Sequence, residues 1–181
     1  MGRAVATLAG GCFWCIETVF NRLAGVESAV SGYMGGHTAK PAYRDICNGD
    51  TGHAEVVQIT FDPDVIAFRH LLEVFFTIHD PTQRNRQGHD VGTQYRSAIF
   101  PVDGRQHAAA AAYIAELDAA RVFAGPIATT LEPLGAFYPA EAYHHRYAER
   151  NPAQPYVAAV ALPKLDKLHA HFGTWTRRSP D

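Results

Sequence analysis

Two cysteines three residues apart, Cys12 and Cys15, are the residues of this chain best suited to covalent chemistry. They follow an apolar run at 4–9 and the pair Gly10-Gly11, and they precede a stretch with helical periodicity. This pattern predicts a buried strand, a tight turn and a helix. A cysteine at the start of a helix meets unpaired N–H groups and the positive end of the helix dipole, which favour the nucleophilic thiolate. We therefore expect a reactive thiol at this turn, although two simply buried cysteines would fit the same residues.

A carboxyl group in an unusual setting is the second candidate for chemistry. The stretch 53–61 alternates as a strand does, and Glu55 is the one polar residue on a face that is otherwise apolar. A carboxyl group at the rim of an apolar face loses solvation, so its pKa is expected to rise. A glutamate that points to solvent at the start of the strand remains the alternative, since glutamate is rarely buried.

The composition excludes several classes of function. The chain has 181 residues, 47% of them hydrophobic, and a formal net charge of -2, so it gives no electrostatic argument for binding nucleic acid or an anionic membrane. It contains no apolar run long enough for a membrane span and no signal-like N-terminal segment. Three cysteines are too few for a disulfide scaffold. We expect one domain over residues 1–181 in a cytoplasmic protein.

Helices and strands alternate irregularly along the chain and are joined by long loops. Strands are predicted at 27–33, 53–61, 95–100 and 127–131, and helices at 64–78, 103–121, 140–149 and 164–172, after a first helix that ends at Gly25. The segments 34–52 and 79–92 are rich in turn residues, and we expect ordered functional loops there. These elements favour an α+β fold with two layers, a mixed β-sheet with packed helices and long ordered loops, of the ferredoxin-like α/β roll type.

Several groups of residues, in order along the chain, carry a family resemblance. They are Gly11-Cys12-Phe13-Trp14, Gly32-Tyr33, Pro41-Ala42-Tyr43, Thr51-Gly52-His53-Ala54-Glu55-Val56-Val57 and Gly92-Thr93-Gln94-Tyr95-Arg96-Ser97. Together they resemble the peptide methionine sulfoxide reductase A family, roughly from residue 8 to residue 152. The resemblance implies reduction of methionine-S-sulfoxide, free or in peptides and oxidised proteins, as a repair of oxidative damage.

The resemblance also implies a role for each matched residue. The cysteine at the position of Cys12 attacks the sulfoxide sulfur, methionine leaves, and a sulfenic acid remains. Glu55 then corresponds to the general acid that protonates the sulfoxide oxygen. Tyr43 and Tyr95 correspond to the tyrosines that hydrogen-bond this oxygen, and Asp90 to a carboxylate that helps to hold a water molecule.

Aromatic residues next to the nucleophile complete the implied site. Phe13 and Trp14 match the walls around the methyl group of the substrate, which would select the S epimer at sulfur. The family resemblance further implies thioredoxin as the electron source and no metal or other cofactor, and we expect the protein to be a monomer.

The thiol that resolves the sulfenic acid is less well determined. Many family members carry a cysteine near the C-terminus, but here Val157 stands where such a cysteine can occur, and no cysteine follows Cys47. The resolving thiol is then Cys15, Cys47 or an external reductant. Cys15 is favoured because it lies on the same helical turn as Cys12, so an intramolecular disulfide needs little movement of the chain.

Other classes of protein fit part of the pattern. A thioredoxin-like disulfide oxidoreductase also places Cys-x-x-Cys between a strand and a helix, but it needs neither the glutamate nor the two tyrosines. A zinc-binding module would pair the two cysteines with two of the 10 histidines, yet none of these has finger spacing. A Cys–His hydrolase has the weakest support, because no histidine stands out as the partner of a cysteine.

Overall fold

A mixed β-sheet lies at the centre of the structure, a computed structural model that describes residues 2–177. The strands are β1 (Ala4–Gly10), β2 (Val26–Met34), β3 (Ala54–Phe61), β4 (Arg86–Gln87), β5 (Asp90–Val91), β6 (Ser97–Phe100), β7 (Thr130–Leu131) and β8 (Tyr138–Pro139). Within these residues, six strands form one sheet in the order β7-β6-β1-β3-β2-β8, and β4 and β5 form a separate hairpin.

The helices lie in the connections between the strands and after the last strand. They are α1 (Phe13–Phe20), α2 (Tyr43–Asn48), α3 (Phe68–Ile78), α4 (Gly104–Ala119), α5 (Tyr147–Arg150) and α6 (Leu162–Phe172). Short 3-10 turns lie at Thr93–Tyr95, Ala142–His144 and Gly173–Trp175, and a π-helical turn at Val157–Ala161 leads into α6. Among residues 2–177, none of these helices is both long enough and apolar enough to cross a membrane.

The topology is a split βαβ arrangement. Both β1 and β2 pair antiparallel with β3, which lies between them, so β1 and β2 run parallel to each other. The crossover from β1 to β2 is α1, and the crossover from β3 to β6 contains α3, with β6 antiparallel to β1. The order β1-α1-β2-β3-α3-β6 is that of ferredoxin-like folds. The predicted α+β class with a mixed sheet is confirmed.

The main core lies between one face of the sheet and the helices α1, α3 and α6. Strand residues of this face alternate with residues of the other face, so Leu8, Val57 and Ile59 all point into the same cluster. The helices add Phe20 and Phe75, both fully buried. Each large side chain buried here contributes roughly 1.5 to 3 kcal/mol, which holds the strand ends in fixed positions. A smaller cluster around Met34 and Phe100 lies on the opposite face.

Most predicted elements are present, but several boundaries were wrong. The first helix ends at Phe20 rather than at Gly25, because the Asn21 side chain bonds both the N–H and the carbonyl of Ala29 and holds a turn. Helix α3 starts at Phe68 rather than at 64, because the N–H of residue 64 donates to the Asp62 side chain in an Asx turn. The start of α4 is as predicted: the Asp103 carboxylate accepts from the third residue of the helix.

In three segments the type or the extent of the secondary structure differs from the prediction. The loop 34–52 is not irregular throughout, since it contains α2, and the segment 79–92 contains the β4–β5 hairpin. The helix expected at 140–149 is interrupted, because Arg146 adopts a left-handed conformation with φ of 57° between a 3-10 turn and α5. The strand expected at 127–131 is reduced to Thr130–Leu131.

Candidate active site

The turn between β1 and α1 carries the two cysteines, as predicted. Gly11 has φ of 96°, and a Cβ atom there would lie 2.7 Å from the Gln87 side chain, so glycine is required on both conformational and steric grounds. Cys12 is the residue before the first turn of α1 and is half-buried. Cys15 is 2% exposed, and its N–H donates to the Cys12 carbonyl at 3.2 Å. The two thiols therefore lie on one turn of helix.

The protonation of this cysteine pair differs from the expectation. Burial raises the pKa of Cys12 well above its ordinary value, and its hydrogen bond to Cys15 and the charge of Glu55 raise the pKa further. The N–H of Trp14 lowers the pKa, as a helix start should, but the desolvation outweighs it. The prediction that the helix start favours the thiolate at Cys12 in the resting protein was wrong. The hydrogen bond from Cys12 and the charge of Lys164 instead lower the pKa of Cys15.

Glu55 lies beneath this turn. Only 3% of it is exposed, so the alternative in which it points to solvent was wrong. Its Oε1 accepts from the N–H of Phe13 at 3.1 Å, which ties the carboxyl group to the first residue of α1. Burial raises the pKa of Glu55 to about 8, with smaller contributions from the charges of Asp90 and Cys15, against the effect of the Phe13 N–H. The expected rise in pKa is confirmed, and Glu55 holds a proton at neutral pH.

Two tyrosines enter the same site from different loops. Tyr43 is the first residue of α2, and Tyr95 ends the 3-10 turn after β5. Burial raises the pKa of both phenols; a hydrogen bond to Cys47 adds to this for Tyr43, and the charge of Glu55 acts on both. Electrostatic coupling to one carboxyl group indicates that both hydroxyl groups lie close to it. Both phenols are neutral and can donate hydrogen bonds.

Asp90 and an unanticipated tyrosine form the side of the site next to the β4–β5 hairpin. The hydroxyl of Tyr156 donates to Asp90 Oδ2 at 2.5 Å, across 66 residues of sequence. The same hydroxyl group is also within hydrogen-bonding reach of Cys15, and its proximity lowers the pKa of that thiol. Tyr156 comes from the segment just before the π-helical turn. Its position after a proline, in an otherwise ordinary loop, gave no signal of a function.

The two aromatic residues after Cys12 face different surroundings. Phe13 is 1% exposed and packs against Tyr33, with ring centres 5.6 Å apart. Trp14 is half-buried and stacks on Tyr147, with ring centres 4.0 Å apart and the planes within 16°. Trp14 is therefore the more accessible of the two, and Phe13 lies beneath the surface.

The segment 141–147 supports the site from behind, which the sequence analysis missed because it treated 140–149 as one helix. His144 is fully buried and accepts from Trp14 Nε1 through its Nδ1 at 2.9 Å. Glu141 accepts from the N–H of Tyr43 at 2.9 Å, and its other oxygen accepts from the hydroxyl of Tyr33 at 3.2 Å and lies 3.3 Å from His144 Nε2. One carboxylate thus links the α2 start to the indole of Trp14.

A cavity of about 300 Å³ opens onto the cysteine pair. Its lining includes both cysteines, Asp90, Tyr156 and Lys164. Over residues 2–177, no three histidine, cysteine, aspartate or glutamate side chains are grouped closely enough to hold a metal ion. The third free thiol, Cys47, is exposed on α2 and hydrogen-bonds the hydroxyl of Tyr43. The site therefore brings together two thiols, a protonated carboxyl group and neutral phenols.

Known proteins resemble this chain in sequence and in fold. The family model described as peptide methionine sulfoxide reductase matches residues 4–176. A protein named peptide methionine sulfoxide reductase MsrA from Halobacterium salinarum is 52% identical over 97% of this chain and 99% of its own length. The structure of reduced Mxr1 from Saccharomyces cerevisiae is 37% identical, covers 84% of this chain and 87% of that chain, and superposes with a TM-score of 0.77. Mxr1 in complex with Trx2 is 28% identical over 80% and 84% of the two chains, with a TM-score of 0.54. The chain belongs to the peptide methionine sulfoxide reductase family.

Proposed function

We propose that Cys12 is the nucleophile and Glu55 the general acid in the reduction of methionine-S-sulfoxide. The family assignment makes this chain an oxidoreductase that reduces methionine sulfoxide with thiols as the source of electrons. The observation that carries the assignment of roles is the buried Glu55 carboxyl group, with a pKa of about 8, hydrogen-bonded to the residue that follows Cys12. At neutral pH it holds the proton that the sulfoxide oxygen must gain.

Cys12, Cys15 and Glu55 together account for the protons and electrons of the reaction. The sulfur of Cys12 attacks the sulfoxide sulfur as its proton passes to Cys15, with which it is hydrogen-bonded. Glu55 donates its proton to the sulfoxide oxygen, so that no bare oxyanion forms. The oxygen then moves to Cys12 as a sulfenic acid, and the substrate sulfur leaves as methionine with two electrons gained.

The phenols and Asp90 stabilise the oxygen as its charge develops. Neutral Tyr43 and Tyr95 donate hydrogen bonds to it, because burial keeps both of them protonated. Asp90, held by Tyr156, orients a water molecule at the edge of the site. Fixed donors of this kind cost no rearrangement when the reaction occurs.

The aromatic residues select the substrate. Trp14, fixed by His144 and Tyr147, forms the wall against which the methyl group of the substrate packs, and Phe13 forms the floor below it. A dry aromatic surface accepts a methyl group and rejects the sulfoxide oxygen. With the oxygen directed to the phenols, only the S epimer places its sulfur next to Cys12.

Cys15 converts the sulfenic acid into a disulfide. It is hydrogen-bonded to Cys12 in the resting protein, whereas Cys47 lies exposed on α2 beside Tyr43. A sulfenic acid and a thiol condense to a disulfide with the loss of one water molecule. Since Cys15 is 2% exposed and Cys12 is half-buried, an incoming reductant attacks Cys12 and releases Cys15.

The remaining parts of the proposal concern partners and location. The relative Mxr1 forms a complex with Trx2, which supports thioredoxin as the physiological reductant of this chain. The substrates are oxidised proteins, peptides and free methionine sulfoxide, and the protein needs no metal or other cofactor. We propose that residues 1–181 act as one catalytic domain and as a monomer. The three unpaired thiols favour a reducing compartment such as the cytoplasm.

Release of methionine from a peptide that contains methionine-S-sulfoxide tests the assignment of the nucleophile. With dithiothreitol as reductant, the wild-type protein turns over and the Cys12→Ser variant does not, because serine forms no sulfenic acid. The matched control is Cys47→Ser, which removes an exposed thiol and keeps wild-type turnover. Appreciable turnover by folded Cys12→Ser would overturn the proposal, and equal rates on the two sulfoxide epimers would overturn the selectivity.

A further inference from the structure

A lysine side chain lies beside the cysteine pair, where the mechanism above does not use it. Lys164 is in the first turn of α6, is half-buried, and donates from Nζ to the carbonyl of Ile78 at 2.8 Å. It lines the 300 Å³ cavity together with Cys12, Cys15 and Asp90. Lysine is seldom buried without a charged partner. The other titratable groups that line the cavity are the two thiols, the Asp90 carboxyl group, the His89 imidazole and the Tyr156 phenol.

We propose that Lys164 holds the negative charge of the Cys15 thiolate and thereby sets the rate at which the Cys12 sulfenic acid becomes a disulfide. The inference rests on the proposed function, in which Cys15 is the resolving thiol. It adds a residue from the C-terminal helix to the recycling step, and the amount of methionine released in the first turnover does not depend on it.

The surroundings of Cys15 change when Cys12 is oxidised. In the resting protein the hydrogen bond from the Cys12 thiol is the largest influence that lowers the pKa of Cys15, and Lys164 and Tyr156 follow it. Once Cys12 is a sulfenic acid, its S–H no longer exists and this hydrogen bond is lost. Lys164 is then the cation left to stabilise the thiolate at the step in which the thiolate must attack.

Other charged groups reach the cysteine pair from neighbouring elements. Asp90 on β5 raises the pKa of Cys15, and Glu55 on β3 is protonated at neutral pH. On α6, burial lowers the pKa of Lys164 and the like charge of Lys167 adds to this, whereas the charges of the two cysteines and Asp90 raise it. The nearby His79, on the loop after α3, is neutral, because burial lowers its pKa to about 3. The net field at Cys15 therefore depends on Lys164 opposing Asp90.

The chemical step is balanced without any further reactant. The Cys15 thiolate attacks the sulfur of the Cys12 sulfenic acid, the S–S bond forms and the S–O bond breaks. The departing hydroxide takes up the proton that Cys15 released, so the products are a disulfide and one water molecule. When the disulfide is later reduced, a reductant thiolate forms a mixed disulfide with Cys12, the Cys12–Cys15 bond breaks, and Cys15 leaves as a thiolate. A leaving thiol of low pKa departs faster, so the same lysine also assists reduction.

Lys164→Gln separates the charge from the hydrogen bond, since glutamine still offers an N–H to the carbonyl of Ile78. Loss of the cation raises the pKa of Cys15, so the thiolate fraction falls, and the greater nucleophilicity of the thiolate offsets only part of that fall. We expect disulfide formation at neutral pH to slow by roughly threefold, with its pH midpoint moved upwards. Lys164→Arg restores the charge and the midpoint, and Lys167→Gln on the exposed face of α6 is the matched control.

The experiment is a single turnover with excess methionine-S-sulfoxide peptide and no reductant, followed from acid to alkaline pH. Methionine release and loss of free thiols are measured separately; an unchanged burst of methionine from Lys164→Gln also reports that the variant is folded. An unchanged midpoint for disulfide formation in Lys164→Gln, or an equal change in Lys167→Gln, overturns the role of Lys164. If Cys15→Ser still forms an internal disulfide, Cys15 is not the resolving thiol. This outcome concerns the proposed function and is distinguished from failure of the Lys164 role because a different variant reports it.

Discussion

Replacing Glu55 by glutamine tests the central electrostatic feature of the site. The pKa of this buried carboxyl group is raised from 4.5 to about 8. At about 1.4 kcal/mol for each pKa unit, the site disfavours the charged carboxylate by about 5 kcal/mol relative to water. Glutamine has nearly the same shape and still accepts a hydrogen bond from the N–H of Phe13, but it neither ionises nor donates an acidic proton.

The first consequence is for stability. Between the pKa of the unfolded chain, 4.5, and that of the native protein, about 8, the native state holds a proton that the unfolded state has lost. The free energy of unfolding of the wild type therefore falls as pH rises through this window, and by linkage it falls by about 4 kcal/mol from about pH 5 to about pH 9 relative to Glu55→Gln. Below this window the Glu55 carboxyl group is protonated in both the native and the unfolded state, so the free energies of unfolding of the two proteins change in parallel with pH.

The second consequence is for catalysis. In single turnovers, methionine release by the wild type falls above about pH 8, where Glu55 loses its proton. Removal of a general acid lowers the rate on the order of a hundred- to ten-thousand-fold, and the alkaline fall assigned to Glu55 disappears with it. The thiols titrate in both proteins, so the difference between the two pH profiles isolates the carboxyl group.

The assay is urea unfolding at a series of pH values with a phosphine reductant present, together with the single-turnover rates. Glu116→Gln on the exposed face of α4 is the control, and it changes stability by about 1 kcal/mol or less at every pH because surface ion pairs contribute little. Parallel stability curves for wild type and Glu55→Gln across the window would refute the raised pKa. A Glu55→Gln variant with the wild-type rate would remove this residue from the mechanism.

Two further predictions concern recycling. Cys15→Ser releases about one methionine per protein and then stalls with thioredoxin, yet it continues with dithiothreitol, because a small thiol reaches the sulfenic acid directly. Cys47→Ser behaves as wild type. Peptide mapping that finds a Cys12–Cys47 disulfide with Cys15 still free would contradict the assignment of Cys15 as the resolving thiol. Val157 is fully buried in one cluster with Cys15, so adding Val157→Cys to Cys15→Ser should restore many turnovers with thioredoxin. Mass spectrometry of the oxidised double variant should find a disulfide from Cys12 to residue 157; its absence in folded protein would show that this packing is not close enough.

Much of the fold could be predicted because its signals are local. Alternation with a period of two identified β3, and the apolar spacing after Cys12 identified α1, since side chains one strand or one helix face apart are close in sequence. The boundaries that were wrong depended on features that leave no periodic pattern in the sequence. The end of α1 is set by Asn21 and the break at 140–149 by the conformation of Arg146, and residue type alone does not specify either.

Some residues of the candidate site could also be predicted from the sequence, and others could not. Local patterns marked Cys12 and Glu55 as candidates, and the family resemblance implied Tyr43 and Tyr95; in the structure the four lie near one another. The supporting residues were missed. Glu141 had no pattern to mark it, and its function depends on contacts with Tyr43 and His144 that arise only when the chain is folded.

The sequence by itself determined the candidate residues for the chemistry, because the strand-turn-helix around Cys12 and the alternation around Glu55 are encoded within a few positions. Only the tertiary structure decided how these groups ionise and what holds them. The bond from Trp14 to His144 spans 130 residues and the bond from Lys164 to Ile78 spans 86. Desolvation depends on everything packed around a group, so the raised pKa of Cys12, opposite to the expectation from its helix position, follows from contacts that no local pattern contains.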